Sequence, residues 1–310
     1  MKKLILITCL LLLTVAVNAQ QNDFPKLTGP YLGQKPPGNT PVHFAPEIFN
    51  PDRYRGYHSV IVFSPDGKEA IFQAFKVGEV REDFFVLKQI NSQWTGPHVF
   101  PFLGGRGDSP AISPDGKKLF FLSTEPISGT EGRREKENIW VSERIGDQWS
   151  EPNPLPLTVN SLAKHWQISL DKMGNLYLGV WKVGATGGTL WHDIFVARSI
   201  GGRFAAPEKL GPEINNPDTR QFSPYISPEG DFLLFTRTMK RSPFKTTIHL
   251  SFLNMEGRWM PPLNISEILK IEGDNARVTP DGKYMFFMGS QGREVFWMDA
   301  GFIEELRPKK

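Results

Sequence analysis

Ser64-Pro65-Asp66-Gly67 returns along the chain as Ser113-Pro114-Asp115-Gly116, Ser227-Pro228-Glu229-Gly230 and Thr279-Pro280-Asp281-Gly282. A degenerate copy begins at Ser169-Leu170-Asp171 and extends to Gly174-Asn175. The first positions are spaced by 49, 56, 58 and 52 residues. A period near ~40–50 residues, with strands in every unit, is what the blades of a β-propeller leave in a sequence.

Short apolar runs flank each copy, such as Val60-Ile61-Val62-Phe63 before and Ala70-Ile71-Phe72 after the first. Pro presets φ for the second turn position, Asp bonds to nearby backbone and Gly closes the turn, so each copy reads as a hairpin. A second hairpin follows. Asp83-Phe84-Phe85-Val86 leads to Trp94 and Pro97, Asn138-Ile139-Trp140-Val141 to Trp149 and Pro152, Asp193-Ile194-Phe195-Val196 to Phe204 and Pro207, and Thr247-Ile248-His249-Leu250 to Trp259 and Pro262. Each unit therefore carries four strands. The fifth has its third strand at Glu294-Val295-Phe296-Trp297 but no aromatic-then-Pro strand after it. The missing strand is expected at residues 42–46, before the first turn, so that an N-terminal strand closes the last blade. The predicted fold is all-β: a five-bladed β-propeller of four-stranded antiparallel blades over residues 42–310, with turns at 64–67, 113–116, 169–175, 227–230 and 279–282.

Composition agrees. The 310 residues include 29 Gly and 26 Pro, which punctuate turns and would interrupt long helices. Thirty-six Lys and Arg against 33 Asp and Glu give a net charge of +3, too little for a polybasic nucleic-acid surface. Lys2 and Lys3 precede an apolar run ending in Val17-Asn18-Ala19, the pattern of a signal peptide over residues 1–19 with a mature start at Gln20. Cys9 then leaves with the leader. Thr8 before it, and the apolar run beyond it, argue against lipidation. The mature chain is expected to be monomeric and periplasmic or secreted, with no transmembrane segment and no disulfide. Residues 20–41 read as an irregular surface arm.

The repeated Ser-Pro-Asp-Gly hairpin, with its polar–apolar–aromatic third strand, resembles the TolB-like propeller repeats, Pro-Asp relatives of WD repeats. The resemblance covers about residues 42–300 and implies the fold. It implies no single function, since such repeats occur in periplasmic interaction proteins, in the propellers of prolyl-oligopeptidase-type enzymes and in oligogalacturonate lyases. No G-x-S-x-G nucleophile elbow is present, and no room is expected for an appended catalytic domain.

Function must then sit on the propeller, where loops entering the innermost strands converge on one channel mouth. Five positions before each turn stand Ser59, Asp108, Lys164, Phe222 and Asp274, with His58, Arg106, His165, Arg220, Gln221, Asn275 and Arg277 around them. The ligand-binding candidates are His58, Arg106, Asp108, Lys164, His165, Arg220, Gln221, Asp274 and Arg277. They suit a polar ligand, a carboxylate or a sugar, although a propeller channel is also commonly lined by polar residues and water. Asp108 and Asp274 could form the carboxylate pair of a glycoside hydrolase, and His58 or His165 with an Arg could serve proton abstraction beside a uronate. No short-spaced His pair suggests a metal, and no cofactor is expected. The turn Asp residues read as turn formers rather than calcium ligands. Trp94, Trp149 and Trp259 lie in blade register and should pack between blades, whereas Trp166, Trp181 and Trp191 fall outside it and could stack on sugars. Arg106-Gly107-Asp108 is explained by the repeat register rather than by adhesion. Two readings remain open: an envelope binding or scaffold module engaging a protein or an oligosaccharide, and a carbohydrate-active enzyme using the same mouth.

Overall fold

The computed structural model describes residues 24–79, 82–102, 107–127, 137–162, 164–183, 189–239, 242–289, 292 and 294–309; the leader and Arg106 lie outside them. It is a ring of five antiparallel sheets. Blade two shows the plan. Gly107–Ile112 is innermost, Lys118–Ser123 second and Asn138–Ile145 third, with Gln148–Trp149 and Asn153–Pro154 as the outer edge. The last blade is assembled from both ends of the described chain. Val42–His43 pairs antiparallel with Val295–Asp299, Val42 opposite Trp297 and His43 opposite Phe296, which is the predicted closure.

The continuous apolar runs of the second and third strands follow from burial on both faces. Successive side chains point to opposite sides of a strand. Leu119 and Phe121 pack with Ile71 and Phe84 of blade one, while Phe120 and Leu122 pack with Ile168 and Leu178 of blade three. The same alternation puts Leu233 and Phe235 against blade three and Leu234 against blade five. The cluster between blades five and one, with Phe286, Trp297, Phe72 and Phe85, completes the circuit. The core is thus a set of interblade layers.

The turns repeat one hydrogen-bond set. Ser113 Oγ donates to Asp115 Oδ1 at 2.6 Å and accepts from Lys118 N at 2.9 Å, while Asp115 Oδ1 accepts from Lys117 N at 3.0 Å. Ser64 with Asp66 and Thr279 with Asp281 do the same. In blade four, where Glu229 replaces the Asp, Ser227 turns to Asp231 instead. The register Trp residues lie at blade boundaries: Trp149 Nε1 donates to Glu69 of blade one at 2.9 Å, and Arg144 pairs with the same carboxylate. Trp259 meets Tyr177 of blade three edge-on.

From Phe24 onward the arm is irregular, with a short 3-10 turn at Tyr31–Gly33, and it is docked on the ring: Leu32 is fully buried, and the Tyr31 ring contacts Phe63, Tyr284 and Trp297 at the junction of blades one and five. Trp94 Nε1 donates to Gly29 O at 2.8 Å. The arm's Gly and Pro residues keep it irregular, and the tertiary contacts of Tyr31 and Leu32 anchor it. Among the described residues no helix is long and apolar enough to cross a membrane.

Candidate functional site

A β-bulge in the innermost strand shapes the channel mouth. In blades two to five the ladder slips at Asp108/Ala111, Trp166/Ile168, Phe222/Tyr225 and Asp274/Arg277. At each slip one non-glycine residue has left-handed φ: Ser109 at 54°, Gln167 at 53°, Ser223 at 54° and Asn275 at 60°. Bulges re-aim side chains, and strain of this kind collects at functional sites.

These bulges correct the phase of blade three. Gly174 N donates to Asp171 O at 3.0 Å, and Asn175 N to Asp171 Oδ1 at 2.9 Å, so Asp171 rather than Ser169 stands where the other turns have Ser or Thr. The equivalents of Asp108 are then Ser59, Trp166, Phe222 and Asp274. Lys164 moves into line with Arg220, and His165 with His58 and Gln221. The phase was hidden because the turn lacks both its Ser and its Pro.

His58 is the centre of what the mouth assembles. Its carbonyl accepts from two bulge amides across the channel, Gln167 Nε2 at 2.9 Å and Asn275 Nδ2 at 2.7 Å. Its imidazole Nδ1 lies 3.2 Å from Glu82 Oε1 and 3.9 Å from Asp108 Oδ2. Glu82 is in turn held by the buried amide of Gln73. The ring remains 44% exposed while the carboxylates are 16% and 15% exposed, so the imidazole faces solvent with two carboxylates behind it. The hydrogen bond with Glu82 raises the His58 pKa, burial opposes it, and Asp108 adds to the rise. Burial pushes Asp108 up to about 6 against the pull of His58.

An aromatic arc continues from this centre. Phe75 meets the His58 ring edge-on at 5.6 Å, and the tilted Trp166 ring lies 6.3 Å from it. Trp166 meets Trp181 at 6.3 Å, Trp181 meets His192 at 5.4 Å, and His192 meets Phe222 at 5.6 Å. All these side chains are only partly buried. Burial, with Arg220 adding its charge, lowers His192 to about 4, so this end of the arc is neutral. Trp191 stacks on Phe195 and lies outside the arc.

Of the predicted residues, the mouth joins His58 to Asp108, with Arg220 acting on the arc through His192. His165 and Gln221 are fully buried, and Gln221 Nε2 donates to Asn216 O at 3.0 Å. Asp274 hydrogen-bonds Thr246 of blade four, and burial raises it to about 6; Glu82, not Asp274, shares His58 with Asp108. Arg277 belongs to the opposite end of the channel, where its Nη2 donates to Ile168 O at 2.8 Å. Arg106 and the Lys164 side chain lie outside the described residues. Glu82 and Gln73 were missed. Antiparallel pairing sets the end of the second strand and the start of the third at the same mouth, Phe75 opposite Glu82, so aligning those strand ends would have found both. Among the described residues no three His, Cys, Asp or Glu side chains are grouped as a metal site requires.

No family model matches the chain, and no curated protein matches it. Among solved structures it is similar to TolB from Acinetobacter baumannii, at 13% identity and TM-score 0.44 over 76% of this chain and 53% of that one. The chain thus spans about half the length of that protein. It is also similar to a gluconolactonase from Xanthomonas campestris, at 10% identity and TM-score 0.42 over 88% of this chain and 97% of that one. A third is the tricorn protease, at 12% identity and TM-score 0.48 over 79% of this chain and 25% of that one. A TolB, a lactonase and a protease have no shared activity to pass to this chain.

Proposed function

We propose that this chain is an exported binding propeller of the cell envelope whose ligand, an oligosaccharide, seats at the mouth around His58. The observation that carries this is the arc Phe75–His58–Trp166–Trp181–His192–Phe222, with two carboxylates beside the His58 imidazole. Sugar rings offer apolar C–H faces to aromatic rings and hydroxyls to carboxylates, and the mouth has both kinds of partner side by side. Leader and export belong to the same reading, supported by the 1–19 pattern.

The test is a tryptophan-fluorescence and calorimetric titration of the mature protein with neutral and acidic oligosaccharides. Trp166→Ala is expected to weaken the best ligand by about tenfold, the worth of one stacking contact. No binding by any member of the panel, with reproducible crosslinking of one envelope protein in intact cells, would replace the sugar with a protein partner.

A second reading, a carbohydrate-active enzyme at the same mouth, draws on Asp108. A buried carboxyl titrating near 6 beside an imidazole whose pKa is raised by its carboxylate neighbours is poised for proton transfer. New reducing ends or a 4,5-unsaturated product, lost in His58→Asn, would establish turnover; their absence leaves the binding reading.

A further inference from the structure

The turn end of the channel holds a buried cation whose donors are largely unused. Arg277 stands two positions before Thr279 in blade five and is 6% exposed. Its one hydrogen bond among the described residues goes across the channel to Ile168 O at 2.8 Å. A guanidinium has five N–H donors, and a buried charge normally finds a carboxylate. No described carboxylate forms an ion pair with it. The groups that act on it through space are the phenol of Tyr225 and Asp108. Burial lowers its pKa to about 10, so it is still charged at neutral pH.

Arg277 and Tyr225 line a cavity of about 80 Å³ with Ile61, Val62 and Phe286, opening between Pro65, Pro114, Pro228 and Pro280 of the turns. That exceeds the ~10–15 Å³ a single water needs. The apolar walls select the occupant. A doubly charged oxyanion would leave one charge uncompensated, and a neutral sugar would leave the guanidinium unpaired. A small monocarboxylate matches on every count: it carries one charge, its two oxygens accept a guanidinium fork, and a short alkyl tail can meet Ile61, Val62 and Phe286.

We propose that Arg277 makes the turn end of the channel a binding site for a small aliphatic monocarboxylate, separate from the mouth around His58. The probe is sodium propionate, titrated calorimetrically into the full mature chain, with sodium sulfate at matched ionic strength as comparison. Wild type should bind propionate and not sulfate. Arg277→Met should lose about tenfold or more in affinity, as expected for a charge-assisted bond, and Arg277→Lys should retain part of it. Equal heats from sulfate, or an unchanged propionate affinity in Arg277→Met, would overturn the site. Should Arg277→Met not fold, wild-type crystals soaked in 3-bromopropionate decide the matter. An anomalous bromine peak in the cavity beside Arg277 supports the proposal, and a cavity without bromine under saturating soak defeats it.

Discussion

The two ends of the channel are built on opposite rules. At the turn end the blades repeat themselves: Ser64, Ser113, Ser227 and Thr279 each bond a carboxylate of their own turn, and Pro65, Pro114, Pro228 and Pro280 ring the opening. At the mouth the equivalent positions are Ser59, Asp108, Trp166, Phe222 and Asp274, no two blades alike except for the two Asp. Even those differ in partner, Asp108 facing His58 and Asp274 facing Thr246. What every blade needs in order to fold is repeated. What the molecule needs once is written in the departures, and the buried guanidinium of Arg277 is such a departure at the turn end, beside the altered turns of blades three and four.

The strongest challenge to this division is a core deletion. Phe121→Ala empties a fully buried position between blades one and two and is expected to cost about 3–5 kcal/mol, read from the denaturation midpoint. His58→Asn, at a half-exposed position, should cost under about 1 kcal/mol. Comparable losses would mean the mouth is framework after all.

The second is a pH dependence. Asp108 titrates near 6 in the fold against 3.8 as a free carboxyl. Its folded pKa is raised, so the protein binds this proton more tightly when folded. Stability from this group is therefore greatest at acid pH and is lost as pH rises from about 4 to about 6. Asp108→Asn should remove that loss, worth at most about 3 kcal/mol. Unfolding free energies at pH 4 and 7 check the sign: a wild type that gains on the mutant as pH rises excludes a buried Asp108.

Ring and closure were legible because they rest on repetition. Turn residues at near-constant spacing located the blades, and the unpaired third strand at Val295–Asp299 pointed to residues 42–46. The mouth was half legible. His58 and Asp108 lie on the innermost strand that the turns index, and Trp166 and Trp181 stood out by being off register. Glu82 and Gln73 lie on the neighbouring strands of blade one, where Glu82 meets His58 and Gln73 only holds Glu82, so neither is indexed by the turns. Blade three slipped by two residues because Asp171 supplies its own side-chain acceptor and needs no Ser. The docking of the arm depends on the junction of blades one and five, a surface that exists only once the ring is closed.

A smaller effect tests the turn itself. Ser113→Ala removes the hydroxyl that accepts from Lys118 N and donates to Asp115, and should cost about 1 kcal/mol in the same denaturation assay. Asp171→Ser in blade three, which restores the repeated first residue, should cost no more than that. A large loss there would show that Asp171 holds more than its turn.

The finest measurement is the titration of His58 itself. Its pKa is raised first by the Glu82 hydrogen bond, with Asp108 adding and burial opposing. Glu82→Gln keeps the shape and removes the charge, so the midpoint should fall. Carbon-detected imidazole resonances, assigned with His58→Asn, report it directly. His192 and His249 are the internal reference, because burial holds both near 4, with Arg220 and Arg237 respectively adding to the depression. A charge removed at Glu82 should leave them in place while His58 moves. If His58 instead keeps its midpoint in Glu82→Gln, its proton is held by Asp108 alone, the carboxylate pair around the imidazole dissolves, and the mouth becomes an aromatic arc with a single buried acid.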